Sequence, residues 1–228
     1  MTRPTPSGQE GQTASDRRPL ASRDTGWARA AARFLSAAAI SPNQISMASM
    51  AMAACAGTAL WLAGSSGFTA RGLLLAAAAI FCQLRLLCNL FDGMVAIEGG
   101  KQSPDGPFWN EFPDRIADML IFVGAGYGVG LPALGWAAAS LAVLTAYTRE
   151  LGRNCGLPAD FSGPMAKQHR MALITLAALL SLSEPLWDGR NVILGLALWA
   201  IAIGAALTTL RRASRIVRAL RGPAGAME

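Results

Sequence analysis

Long uncharged stretches constrain this chain more than any other feature. Ile45–Ala63 and Asn191–Leu210 contain no charged residue, and Met119–Thr148 is a third such run. A helix needs about 20 predominantly apolar residues to cross a bilayer. Met119–Thr148 is too long for one simple span and is interrupted by Gly124, Gly126, Gly128, Gly130 and Pro132, so it reads as a hairpin of two spans. Gly72–Leu84 and Met171–Ser183 are shorter apolar runs that extend into polar ends. The sequence therefore predicts six spans, near 44–63, 72–97, 106–129, 133–153, 165–184 and 190–212. Composition agrees, with 53% of the 228 residues hydrophobic and 15% charged. Soluble domains carry about a quarter charged residues.

The polar remainder organises the ends. Residues 1–25, rich in Ser, Thr, Pro and Arg, read as a disordered arm and lack the apolar core of a signal peptide. Residues 26–42 read as an amphipathic helix on the membrane surface followed by a turn. Arg29 and Arg33 lie one turn apart beside Trp27 and Phe34, and Ser41-Pro42-Asn43 carries a helix-start signal. Residues 43–213 make the six-helix transmembrane domain, and 214–228 a basic tail. The expected fold class is all-α, integral membrane and multi-pass.

Positive charge sets the orientation. Arg3, Arg17, Arg18, Arg23, Arg29 and Arg33 precede the first span. Arg149, Arg153, Lys167 and Arg170 lie between spans four and five, and Arg211, Arg212, Arg215, Arg218 and Arg221 follow span six. Arg71 and Arg190 fall on the opposite side. Both termini are then cytoplasmic. The net charge of +6 reflects topology and contact with anionic membrane lipid. No nucleic-acid motif accompanies it, so no nucleic-acid partner is expected. Cys55, Cys82, Cys88 and Cys155 form no CxxC and predict neither a disulfide framework nor a zinc site.

Against this apolar background, Asn89–Asp118 holds six of the 14 acidic residues. Solvated loop charge accounts for Glu98, Asp105 and Glu111. It accounts poorly for Asp92 and Asp114, because ionisable groups beside a span usually face a cavity and have a use. Asn89 and Asp92 are three apart and share a helix face, which Ala96 continues, while Gly93 permits close approach. Asn110, Asp114 and Asp118 are spaced four and four, again one face. On two antiparallel helices these faces meet at the cytoplasmic mouth as a cluster of side-chain oxygens. Hard cations such as Mg2+ or Mn2+ take such ligands.

The spacing Asn89-x2-Asp92-Gly93-x2-Ala96-Ile97-x8-Gly106-x3-Asn110-x3-Asp114 resembles the signature of the CDP-alcohol phosphotransferases of phospholipid synthesis, D-x2-D-G-x2-A-R-x8-G-x3-D-x3-D. Every spacing is kept. Asp92, Gly93, Ala96, Gly106 and Asp114 match, and Asn89, Ile97 and Asn110 depart. The surface helix, the Ser-Pro-Asn turn and the six spans extend the resemblance over most of residues 26–212. It implies two divalent metals held by aspartates, a CDP-linked lipid as donor, attack by an alcohol acceptor, release of CMP, and a homodimer. Carried over by position, Asp92 is a metal ligand and Asp114 the general base, with a possible metal contact of its own. Asn89 and Asn110 stand where ligands stand. Gly93, Ala96 and Gly106 leave room for the cytidine diphosphate.

The two asparagines leave three readings open. An amide keeps one oxygen but no charge. The site binds two metals more weakly, binds one through Asp92 and Asp114, or has lost catalysis. Asp118 is placed to restore some charge. Glu111 points about 100° away from Asn110 on an ideal helix. Arg149 and Arg153, four apart, and Lys167 and Arg170, three apart, are candidates for binding the acceptor's phosphate or another anionic group. Ordinary positive-inside topology explains any one of them equally well. His169, the one histidine, is left out of the catalytic set. Arg85, one turn before Asn89, is expected to face the cavity and pair with a carboxylate. The leading function is transfer of a phosphatidyl or similar group from a CDP-linked lipid to an alcohol. The alternatives are a silent member that binds nucleotide-lipid or a partner synthase, and a small ion-coupled transporter.

Overall fold

The computed structural model describes residues 25–98, 100 and 104–221. Residues 1–24 of the disordered arm expected over 1–25, and residues 222–228 of the basic tail expected over 214–228, lie outside them. The described residues form seven α-helices in order: α1 (Gly26–Ala37), α2 (Pro42–Ala63), α3 (Phe68–Glu98), α4 (Gly106–Gly128), α5 (Pro132–Asn154), α6 (Lys167–Leu180) and α7 (Val192–Arg221). A 3-10 segment, Ser181–Trp187, extends α6. There is no strand among the described residues.

Local chemistry accounts for the boundaries. Ser41 caps α2 in a reciprocal box: its Oγ accepts from Gln44 N at 3.2 Å while Gln44 Oε1 accepts from Ser41 N at 2.9 Å. The turn between α4 and α5 rests on Gly130 at φ +74°, a conformation costly for other residues, and on the Pro132 that opens α5. The α6 helix tightens into its 3-10 end where Pro185 cannot donate to the Ser181 carbonyl. Arg71 Nη1 donates to that carbonyl instead, at 3.1 Å.

Among the described residues four helices are long and apolar enough to cross a membrane: Pro42–Ala63, Phe68–Ile97, Lys167–Trp187 and Val192–Arg221. The sequence predicts helices at all six places, and they form there. α4 and α5 fall short of the mark for a span. The first turns of α4 carry Glu111, Asp114, Arg115 and Asp118, and α5 is built largely of Ala, Gly, Ser and Thr.

The interior is made of small side chains. Ala53, Ala56, Ala78, Ala117, Ala125, Ala138 and Ala142 are buried, whereas Leu73, Ile80, Leu196, Trp199 and Leu210 point outward and are exposed. Small residues between helices and large apolar ones outside are the pattern of a bundle solvated by lipid. α2 sits against both α3 and α4, and glycine makes the second contact possible. A Cβ on Gly124 would lie 2.2 Å from the Gly57 carbonyl oxygen, and one on Gly57 2.2 Å from that of Leu120. Of the glycines read from sequence as breaking the hairpin, Gly124, Gly126 and Gly128 thus lie inside α4, and the turn comes after them. Gly124→Ala is expected to cost about 1–3 kcal/mol through overpacking. Thermal unfolding in detergent measures it, with Gly195→Ala, whose added Cβ meets nothing within 4 Å, as the unaffected control.

Candidate active site

α3 runs well past its apolar core, and its last turns carry Arg85, Asn89 and Asp92 toward the first turns of α4. The two helices touch each other little elsewhere, because α2 lies between them. They meet through polar side chains. Asn89 Nδ2 donates to Asp114 Oδ1 at 2.7 Å. Arg85 Nη2 bridges Asp114 Oδ1 at 3.2 Å and Asp118 Oδ1 at 3.0 Å. Lys167 Nζ, from the start of α6, donates to Asp114 Oδ2. Arg115 Nη2 lies 3.7 Å from the same oxygen.

Asp118 is buried one turn deeper. Its Oδ2 accepts from Arg170 Nη2 at 2.7 Å, and Arg170 also donates to Thr145 Oγ1 at 3.1 Å and to the Met165 carbonyl at 2.9 Å. Asp118 therefore joins α3, α4 and α6 as the centre of a closed ion-pair network.

Asp92 behaves differently. It is 7% exposed, and its Oδ2 accepts from Ser46 Oγ of α2 at 2.9 Å. Its Oδ1 is buried and has no hydrogen-bond partner among the described residues. Asp92 lies within electrostatic reach of Asp114 and Lys167. Asn89 Oδ1 in turn accepts from Ser49 Oγ at 2.9 Å. Ser46 and Ser49 were not read as site residues from sequence. Their spacing of three, matching that of Asn89 and Asp92, was the available signal. Arg115 was likewise missed, being one more charge in a charged stretch.

The other predicted positions divide. Gly93, Ala96 and Gly106 are half-buried along the same two helix ends, and Ile97 is exposed. Asn110 is exposed in the first turns of α4. Glu111 pairs with Arg149 Nη2 at 2.5 Å and with Arg115 Nη2 at 3.6 Å. The two basic pairs expected to bind anions have carboxylate neighbours: Arg149 has Glu111 and Glu150, Arg153 has Glu150, Lys167 has Asp114, and Arg170 has Asp118. Arg149 also lies over the Phe161 ring, 5.2 Å from its centre, and lines a cavity of about 340 Å³ with Thr148, Asp160, Arg212 and Arg215. His169 Nδ1 lies 3.1 Å from the Pro164 carbonyl oxygen, away from the aspartates in its contacts.

A phosphatidylinositol phosphate synthase of Streptomyces avermitilis is 28% identical over 195 residues, 82% of this chain and 76% of that protein. The solved structure of the phosphatidylinositol phosphate synthase of Mycobacterium tuberculosis, in complex with manganese and citrate, superimposes with a TM-score of 0.70. That match covers 88% of this chain and 92% of the other at 18% identity. The chain is thus similar in sequence to one phosphatidylinositol phosphate synthase and shares the fold of another. The same mycobacterial synthase with CDP-DAG bound gives a TM-score of 0.69 over 88% of this chain and 96% of that one, at 19% identity. An inner membrane protein of Escherichia coli, YnbA, is 29% identical over 170 residues, 72% of this chain and 77% of that protein. No protein-family model matches the chain. With four helices long and apolar enough to cross a membrane among its described residues, the chain is an integral membrane protein. Its α3–α4 junction is the place where Asn89, Asp92 and Asp114 come together.

Proposed function

We propose that the protein transfers a substituted phosphate group, such as phosphatidyl, from a CDP-linked lipid to an alcohol and releases CMP. The observation that carries this reading is the junction of α3 and α4, where Asn89 Nδ2 meets Asp114 Oδ1 at 2.7 Å and Asp92 keeps a buried, unpartnered oxygen beside them. Supporting it, the relatives with this fold include two phosphatidylinositol phosphate synthases, one of them solved with CDP-DAG and with manganese.

The residues fit a divalent cation of the hard, oxygen-seeking kind. Asp92 Oδ1 is an available anionic donor, and Asp114 supplies a second carboxylate nearby. Among the described residues no three His, Cys, Asp or Glu side chains form a closed metal cage. Mg2+ commonly binds through one or two carboxylates together with substrate phosphates. Asp92, with Asp114, would hold the ion; of the other positions expected to ligate it, Asn89 is hydrogen-bonded to Ser49 and Asp114, Asp118 is closed by Arg85 and Arg170, and Asn110 is exposed. A divalent cation held there would supply positive charge to the diphosphate.

The protein's own groups supply the rest. Asp114 accepts the proton of the acceptor hydroxyl, the hydroxyl oxygen bonds to the lipid-side phosphorus, and the phosphorus–oxygen bond to CMP breaks. Of the partners on Asp114, Lys167 is the one able to move aside: its side chain is 27% exposed on a flexible stem, whereas that of Arg85 is fully buried. Gly93, Ala96 and Gly106 leave space for the nucleotide. Arg149, Arg153, Lys167 and Arg170 offer charge to an anionic acceptor. We place both termini and the site on the cytoplasmic side, α1 on the membrane surface with Trp27 and Phe34 exposed, and α4 and α5 as the third and fourth of six spans. Residues 43–213 are the catalytic domain and act as a homodimer.

Purified protein given CDP-diacylglycerol, Mg2+ or Mn2+ and a panel of alcohols is expected to release CMP only when both metal and a suitable acceptor are present. Mass spectrometry of the product lipid identifies the acceptor. A second reading, a silent member that binds the nucleotide-lipid, is favoured by one observation: both oxygens of Asp114 already have cationic or amide partners. CDP-lipid binding without CMP release under any metal and acceptor decides for it.

A further inference from the structure

Asn89 sits between a donor and an acceptor. Its Oδ1 accepts from Ser49 Oγ and its Nδ2 donates to Asp114 Oδ1. An ionised carboxylate only accepts, so the amide must turn its N–H2 toward Asp114 and its oxygen away. Ser49 is fully buried and holds that oxygen. An aspartate at position 89 would set two carboxylates against each other, which is the arrangement a bridging cation satisfies. Asparagine satisfies it with a hydrogen bond.

Positive charge around Asp114 is also present without a second ion. Arg85 and Lys167 contact its two oxygens, and Arg115 lies 3.7 Å away. Asp118 is closed on both oxygens by Arg85 and Arg170. Among the described residues, Asp92 Oδ1 is the anionic atom left buried and unpartnered.

We infer that this site holds one divalent cation rather than two: Asp92 is its principal protein ligand with Asp114 beside it, Asn89 is a positioning residue that donates to Asp114 under the hold of Ser49, and Arg85 and Lys167 supply the charge of a second ion. The inference rests on the transferase reading only in taking the remaining ligands to be substrate phosphates and water.

Mn2+ titrated into the purified full-length protein, with the free ion read by electron paramagnetic resonance, tests it without turnover. One Mn2+ per chain is expected. Asp92→Asn, which keeps the shape, is expected to weaken binding by about tenfold or more. Asn89→Ala and Ser49→Ala are expected to leave count and affinity unchanged. Asn89→Ala is expected to lower kcat for CMP release by about 100-fold, with KM for the CDP-lipid unchanged, because Asp114 is no longer held in place. Asn89→Asp is expected to admit a second Mn2+. A wild-type count other than one, or Asn89→Ala weakening Mn2+ as much as Asp92→Asn, overturns the inference. The two readings separate cleanly. One bound Mn2+ without CMP release sinks the transferase reading alone, and two bound Mn2+ with CMP release sinks this one alone.

Discussion

Asp114→Asn is expected to cut CMP release by about 10²–10⁴-fold, the range typical of losing a general base. The substitution is chosen because it separates chemistry from folding. Asparagine has the shape of aspartate and keeps one oxygen acceptor for Arg85 or Lys167. It has no charge with which to take the acceptor's proton. Asp114→Ala is the worse experiment, since it would leave two cationic side chains facing a gap and confuse lost catalysis with lost stability. The measurement is initial rate at saturating CDP-diacylglycerol and acceptor, with the thermal midpoint recorded alongside. A rate close to that of the parent protein, with the fold intact, removes Asp114 from the role of base.

The second large effect concerns stability and arises at the other end of the bundle. Glu184→Ala is expected to destabilise the protein by about 3–5 kcal/mol, the usual result of removing one partner from a buried ion pair. Glu184 is fully buried. It accepts from Arg71 Nη2 at 2.5 Å, and from the backbone N–H groups of Asn191 at 2.8 Å and Ile193 at 2.7 Å. Its carboxylate therefore serves two purposes. It neutralises Arg71, and it satisfies donors at the start of α7, where the helix dipole also favours negative charge. The pair Arg71→Met with Glu184→Leu is expected to recover part of the loss, because no buried charge is then left alone although the N–H groups of Asn191 and Ile193 lose their acceptor. Arg71 and Asn89 are 18 residues apart on α3, about 27 Å along the axis, so the folded fraction should keep its turnover rate. Chemical unfolding in detergent reads the first expectation. An unchanged stability for Glu184→Ala would show that water reaches Arg71.

What the sequence by itself determined is set by spacing and by solvent. Apolar runs, Gly130 with Pro132 and the Ser41 cap located the helices, because helix boundaries are decided by residues a few positions apart. The interval of three between Asn89 and Asp92, and of four between Asn110, Asp114 and Asp118, put each set on one face for the same local reason. Arg85 one turn from Asn89 could be expected to find a carboxylate, and it finds two.

Only the tertiary structure decided what each face meets. That α2 wedges between α3 and α4 follows from Gly57 and Gly124 fitting backbone to backbone, a match between residues 67 positions apart that no helical period reveals. The wedge brings Ser46 to Asp92 and Ser49 to Asn89, and so turns an amide that sequence could read only as a weakened ligand toward Asp114 as a donor. It likewise decided that Lys167 and Arg170 divide between Asp114 and Asp118. Hydrogen bonding is directional and short in range, so the role of a polar side chain waits on which partner the packing delivers to within about 3 Å.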